Sequence, residues 1–318
     1  MGSICYIQQS IPRSAQIDWL LRIFTFLLLI KAFFPCSANM DGSKKSILQL
    51  SLVEKVNSNP GAKWKAGLNQ RFSNTTVEDF KMLLGSFMED EQEIVHMQTY
   101  PRDLILPVSF DARDAWPHCD SLRTILENDL LSCCGFECGN GCHGGHLLRA
   151  WQYLVRSGVV TAKCLPYFDS QGCQHPGCTP IYPTPECVEQ CADNTDWQSE
   201  KYYASSAYAV GPDSHDIMAE VYINGPVEAS FRVHEDFAHY NSGVYHHVFG
   251  DYLGGHAVKL IGWGTTDEGV DYWILANSWN RQWGQDGYFM IQRGVNECAI
   301  ESRVVAGKPG RRRLVAVQ

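Results

Sequence analysis

The sequence predicts an α+β protein of two lobes, one helical and stapled by disulfides, the other built of antiparallel strands. Three observations lead there. Eleven of the thirteen cysteines fall between Cys119 and Cys298. From residue 205 onward apolar and polar residues alternate between glycines, as in antiparallel strands. Helix-like periodicity is confined to short stretches at 46–56, 72–84, 145–157 and 216–224. With 318 residues, 45% apolar and 19% charged, the chain has a globular composition and enough length for one large or two ordinary domains. A formal net charge of −9 argues against a nucleic-acid binder, which needs a basic face.

Taken in order, the N-terminus carries an eight-residue apolar run at 23–30 flanked by Arg22 and Lys31, with small residues Cys36 and Ala38 after it. This pattern predicts a signal peptide over 1–38 and export, without a membrane anchor. Residues 39–105 lack cysteine and read as a separable pro-region. It holds an apolar stripe at 46–56, a second at 72–84 ended by Gly85, the glycosylation sequon Asn74-Thr75-Thr76 and an acidic linker at 89–93. Residues 106–318 form the main domain, with 106–119 and 196–318 mainly β and 120–195 mainly helical. So dense a set of thiols in an exported chain predicts disulfides. Cys138, Cys142, His143 and His146 match no common zinc spacing, and neither metal nor cofactor is expected.

Two motifs bear on chemistry. Gly254-Gly255-His256-Ala257 puts a histidine at the mouth of an apolar strand, and Asn277-Ser278-Trp279 ends another. Histidine and asparagine at neighbouring strand ends can serve as a base and the group that fixes its tautomer, with a tryptophan shielding the bond. His234-Glu235-Asp236 and His246-His247 read as surface turn and strand residues rather than metal ligands, and Arg311-Arg312-Arg313 as a solvated tail.

These residues resemble the papain-like cysteine peptidases, in particular the cathepsin B-like branch, over about residues 46–309. Trp64-Lys65-Ala66-Gly67 with Asn69 and Phe72 is similar to that branch's pro-region. Leu106-Pro107 and Phe110-Asp111-Ala112-Arg113 are similar to its mature start. Cys133-Cys134-Gly135, Cys142-His143-Gly144-Gly145, Gly225-Pro226-Val227 and Val304-Val305-Ala306-Gly307 extend the likeness. The resemblance implies the papain-like two-lobe fold and peptide-bond hydrolysis through a thioester. It makes His256 the general base and acid and Asn277 its orienter. Gly144 and Gly145 become the backbone that meets an extended substrate, and Trp283 the floor of the leaving-group side. It also implies the pairs Cys133–Cys187, Cys134–Cys138, Cys164–Cys191 and Cys173–Cys178.

The departures matter as much. The family's nucleophile sits in a Q-G-x-C-G-S-C-W run, and this sequence has none. Thr124-Ile125-Leu126 resembles the sequence before that run and Glu127-Asn128-Asp129 the sequence well after it. A stretch of roughly forty residues, with the nucleophile and most of the first lobe's central helix, is therefore absent between Leu126 and Glu127. Cys119 lies 137 residues before His256, but Trp116-Pro117-His118-Cys119 matches a disulfide cysteine of the family and not its nucleophile. The loop at 173–178 resembles a short occluding loop with His175 alone, which weakens capture of a substrate's C-terminal carboxylate. Arg303 falls in the second specificity pocket, where it is expected to repel basic side chains.

The chain is thus expected to be inactive as written. Three readings compete: a spliced or mispredicted form of a peptidase, a pseudopeptidase that binds peptides or partners, and an inhibitor acting through its pro-region. Expected partners are peptides or proteins in the cleft, the chain's own pro-region, and cystatin-type inhibitors or related peptidases. The expected location is the secretory pathway, leading to a vacuole, a lysosome or the outside.

Overall fold

A β-rich lobe carries most of the order, and its strands begin where the alternation begins. The computed structural model describes residues 45–88, 96–119, 128–166 and 184–310. The proposed signal peptide, the acidic linker, the Leu126–Glu127 junction and the loop containing His175 lie outside the described residues.

Ten strands share one sheet among the described residues. They are β1 (Trp64–Ala66), β2 (Met97–Gln98), β3 (Phe110–Asp111), β4 (Tyr208–Val210), β5 (Val227–His234), β6 (Tyr240–Tyr245), β7 (Tyr252–Thr265), β8 (Asp271–Ala276), β9 (Tyr288–Gln292) and β10 (Val304–Ala306). Their order is β1-β6-β9-β8-β7-β5-β10-β4-β2, with β3 on β7. The heart of it, β5-β7-β8-β9, is antiparallel as expected. Two pairings differ: β6 runs parallel to β9 and β2 parallel to β4. The segment from β6 to β7 crosses over instead of closing a hairpin, so β6 keeps the sense of β7 and β9.

The helices are α1 (Leu50–Ser58), α2 (Val77–Lys81), α3 (Ala112–Ala115), α4 (Asn128–Cys133), α5 (Leu147–Arg156) and α6 (Ser214–Asn224). The two pro-region stripes are shorter or later than their periodicity suggests. In the first, the helix starts only at Leu50. In the second, Phe72 belongs to a separate 3-10 turn, and α2 starts at a capping box in which Thr76 and Asp79 bond each other's backbone N–H. Asn74 of the sequon is exposed just before that cap. Asp213 caps α6, and Gly225 ends it at φ +109°, a left-handed conformation that glycine enters without Cβ strain.

Phe237 is the hub of the β-lobe core. Its ring meets Phe231, Tyr245, Trp279, Trp283 and Phe289 at centroid distances of 4.8 to 5.5 Å. Around it, His234-Glu235-Asp236 is not a surface turn. Glu235 and Asp236 are buried, and the Asp236 carboxylate accepts from Tyr245 Oη, His247 Nδ1 and the backbone N–H groups of Val248 and Phe249 at 2.7–3.2 Å. Burial alone would raise the Asp236 pKa, but these bonds hold it below the usual carboxylate value. His247 sits over His234 with ring centroids 3.8 Å apart.

The smaller lobe is held by Cys133–Cys187, Cys134–Cys138 and Cys164–Cys191, three of the four implied bridges. The fourth, Cys173–Cys178, lies outside the described residues. A buried ion pair supplements them: Lys201 Nζ reaches Asp129 Oδ2 at 2.9 Å and Gly158 O at 3.1 Å, and Asp129 Oδ2 also accepts from Val160 N. Breaking a buried pair leaves one charge uncompensated, at a typical cost of about 3–5 kcal/mol. Lys201→Met is therefore expected to destabilise this lobe by about that much in urea unfolding followed by tryptophan fluorescence, with Asp129→Asn/Lys201→Met recovering part of the loss. A single variant within 1 kcal/mol of the parent would refute the role given to the pair.

Candidate functional site

The register of β7 and β8 brings the two motifs together. Lys259 pairs with Ala276, so the residues after Ala276 run back alongside the start of the Gly255-His256 segment. His256 Nε2 lies 2.8 Å from Asn277 Oδ1. Ser278 N donates to the same Oδ1 at 2.7 Å, which identifies that atom as the amide oxygen. An amide oxygen only accepts, so His256 carries its proton on Nε2 and a lone pair on Nδ1. Trp279 stacks on the imidazole at 4.8 Å and screens the bond. Trp283 is fully buried behind it, edge-on to Trp279 at 5.1 Å.

His256 itself is 1% exposed. Burial pushes its pKa down to about 3, against the raising effect of the bond to Asn277. The cover is the pro-region. Residues 84–88 pass between the lobes and pair with both. Gly145 N donates to Gly85 O at 2.9 Å, Phe87 N to Gly145 O at 3.1 Å, and Ser86 N to Gly255 O at 3.1 Å. The bridge to Gly145 is parallel and that to Gly255 antiparallel. The predicted glycines are needed for closeness: a Cβ on Gly144 would meet Gly85 O at 2.8 Å, and one on Gly255 would meet Ser86 O at 2.4 Å. Leu84 packs on Gly254, Phe87 on the His146 ring, and Met88 lies 3.6 Å from Ser230 Oγ. Arg303 donates to Met88 O at 2.5 Å, at the end of the pro-segment.

The sequence reading missed how the pro-region is anchored. Lys45 forms an ion pair with Glu235. Gln49 N donates to His239 Nε2 at 2.9 Å, and Asn69 Nδ2 reaches Ala238 O and Tyr240 O at 2.7 and 3.1 Å. Trp64 of β1 stacks on Tyr240, and its Nε1 donates to His246 O. Phe72 and Phe80 place their ring edges on Trp279 at 5.7 and 5.0 Å. No periodicity announces a single buried acceptor such as His239. Among the described residues no group of side chains suits a metal ion.

Comparison with known proteins agrees with this geometry. The family model "Papain family cysteine protease" matches residues 113–308, and "Peptidase family C1 propeptide" matches residues 48–90. The chain is 46% identical to Cathepsin B-like protease 1 of Arabidopsis thaliana, over 89% of this chain and 91% of that protein. That alignment spans 344 positions, more than the 318 residues here, so part of the relative stands opposite gaps in this chain. Cathepsin B-like cysteine proteinase 6 of Caenorhabditis elegans is 36% identical over 90% of this chain and 93% of its own length. Among solved structures, proCathepsin B S9 from Trypanosoma congolense superposes with a TM-score of 0.74 at 33% identity, covering 84% of this chain and all of that one.

The His239 contact sets a pH dependence for the pro-region. His239 Nδ1 donates to Glu235 O at 3.2 Å, so Nε2 must stay unprotonated to accept from Gln49 N. Burial lowers the His239 pKa below 6.5, opposed by the neighbouring Glu235 and Asp236; Lys45 faces it from the pro-region through its pair with Glu235. A depressed histidine pKa means the contribution is complete above about pH 6.5 and fades as the pH falls toward the depressed value. Hydrogen exchange in α1 is expected to quicken between pH 7.5 and pH 4.5 once corrected for intrinsic rates. In His239→Leu it is expected to be faster throughout and flatter with pH. Identical pH profiles for the two proteins would contradict the assignment.

Proposed function

Because the chain belongs to the papain family of cysteine proteases, with cathepsin B-like relatives, we propose that it is a member that binds extended peptides in the cleft without hydrolysing them. One observation carries the reading. His256 and Asn277 form an oriented base 2.8 Å apart, while the sequence holds no C-G-S-C-W run to supply the thiol that such a base serves. In the family chemistry a thiolate attacks the amide carbon, the base takes the thiol proton and returns it to the leaving amine, and water resolves the thioester. His256 Nδ1 can hold that proton, but a base alone forms no thioester.

Two facts support the absence of a segment and not merely of one residue. The alignment to the Arabidopsis relative is longer than this chain. In the smaller lobe, α5 buries only Tyr153 and leaves Leu147, Leu148, Trp151 and Leu154 half-buried, as expected of a helix that has lost a packing partner. A pro-region and relatives of this kind favour a secretory or lysosomal route, and we assign the protein to a vacuole, a lysosome or the outside. No helix among the described residues is long and apolar enough to cross a membrane.

A second reading draws on the pro-segment. Its bonds to Gly145 and Gly255 run through backbone atoms, so the same segment could occupy the glycine-lined cleft of a related active peptidase.

Purified chain, exposed to acid to release the pro-region, is expected to give no turnover of fluorogenic peptide amides and no labelling by an epoxide thiol probe. Inserting the corresponding segment of the Arabidopsis relative between Leu126 and Glu127 is expected to create turnover, which His256→Ala then removes. Hydrolysis by the unaltered chain that alkylation abolishes would overturn the proposal.

A further inference from the structure

Resting on the reading of this groove as a peptide site, the geometry points to a carboxylate-recognition subsite formed by Arg232, with His234 and Tyr252 as its neutral wall. The strand β5 sets the placement. Phe231 and Val233 are fully buried in the core, so period-two alternation turns Ser230, Arg232 and His234 to the opposite face. Ser230 lies against Met88, which identifies that face as the one the pro-segment follows. Arg232 pairs across with Gly255 and His234 with Tyr252. Gly255 has no side chain, so nothing from β7 stands between Arg232 and a chain lying in the cleft. Tyr252 is half-exposed beside His234, their rings edge-on at 5.8 Å.

These side chains open onto a cavity of about 930 Å³ whose other wall is the pro-segment at Leu84, Ser86 and Met88. Arg232 is exposed to it and, among the described residues, has neither an ion pair nor a hydrogen bond. The side chains of His234 and Tyr252 beside it carry no carboxylate. Burial and the facing His247 keep His234 neutral, and His247 spends its Nδ1–H on Asp236. A guanidinium presents a planar fork of N–H donors that matches a carboxylate in two parallel bonds. With Arg303 along the same cleft, the groove has cations at two points although the chain is acidic as a whole. The ligand class that fits is a peptide bearing a carboxylate, at its C-terminus or on an Asp or Glu side chain.

The test uses the full-length chain at neutral pH and three probes: acetyl-Ala-Ala free acid, acetyl-Ala-Ala amide and acetyl-Asp-Ala amide. Affinity is read by calorimetric titration, and by saturation-transfer NMR where it is weak. One or both carboxylate probes should bind about tenfold more tightly than the neutral amide, as one charge-assisted contact implies. Which of the two does so separates a C-terminal reader from a side-chain reader. Arg232→Gln should level the three probes, and Arg232→Lys should keep part of the preference. Equal binding of all three to the parent chain, or an unchanged preference in Arg232→Gln, overturns the subsite and leaves the groove standing. Binding by none of the probes overturns the subsite together with the groove.

Discussion

The threading of residues 85–87 between Gly145 and Gly255 is the constraint on which the rest of the cleft depends. Three backbone hydrogen bonds hold the segment, two to one lobe and one to the other. Such close pairing requires that neither wall carry a Cβ at the contact, and both walls are glycine there. The same threading removes His256 from water and makes it a poor base. The covered state and the silent state of that histidine are thus one arrangement, reached through desolvation rather than through a competing charge.

Aromatic packing ties the pro-region to the site more firmly than the three bonds could alone. Phe72 and Phe80 rest on Trp279, Trp279 rests on His256, and both Trp279 and Trp283 rest on Phe237. Each edge-to-face contact adds on the order of 1 kcal/mol beyond area burial. The shield of the His256–Asn277 bond is therefore also the floor on which the pro-region docks. The turn that follows β5 and the start of β6 offer Glu235, His239 and two carbonyls to Lys45, Gln49 and Asn69. Apolar packing and polar anchoring share this turn, since Phe237 adjoins Ala238, but the bond to His239 belongs to the second, so a change of pH can weaken it while the first persists.

Much of this was legible in the sequence, and the parts that were not have separate physical causes. His256, Asn277 and the glycine pair stood in short ordered motifs, and the structure brings His256 and Asn277 within 2.8 Å and sets both glycines against the pro-segment. Helix α6 declared itself by an apolar run stopped at Gly225-Pro226, and it begins at Ser214, only two residues upstream of the expected start. Three disulfides followed from resemblance, since thirteen cysteines by themselves fix no pairing. One misreading concerns polar residues whose burial depends on their partners. His234-Glu235-Asp236 reads as a surface turn because its carboxylates are charged. What buries Asp236 are donors on Tyr245, His247, Val248 and Phe249. The second pro-region stripe looked like one helix because Phe72 and Phe80 face the same tryptophan, yet a 3-10 turn and a capped helix achieve that together.

Loss of a nucleophile does not by itself dismantle a cleft of this kind, and the reason is where the binding atoms lie. The groups that meet an extended chain are backbone atoms of Gly145 and Gly255 and side chains on β5 and β7. Those on β5 and β7 are supported by the Phe237 core, to which no described residue of the smaller lobe contributes. On the lobe that carries Gly144 and Gly145, α5 buries only Tyr153. That lobe is instead held by three disulfides and the Lys201–Asp129 pair, which fix its loops without needing a central helix. The two halves of the groove thus rest on different physics, a hydrophobic core on one side and covalent staples on the other. A deletion that damages one kind of support leaves the other in place. The β5–β7 wall of the groove belongs to the side held by the hydrophobic core.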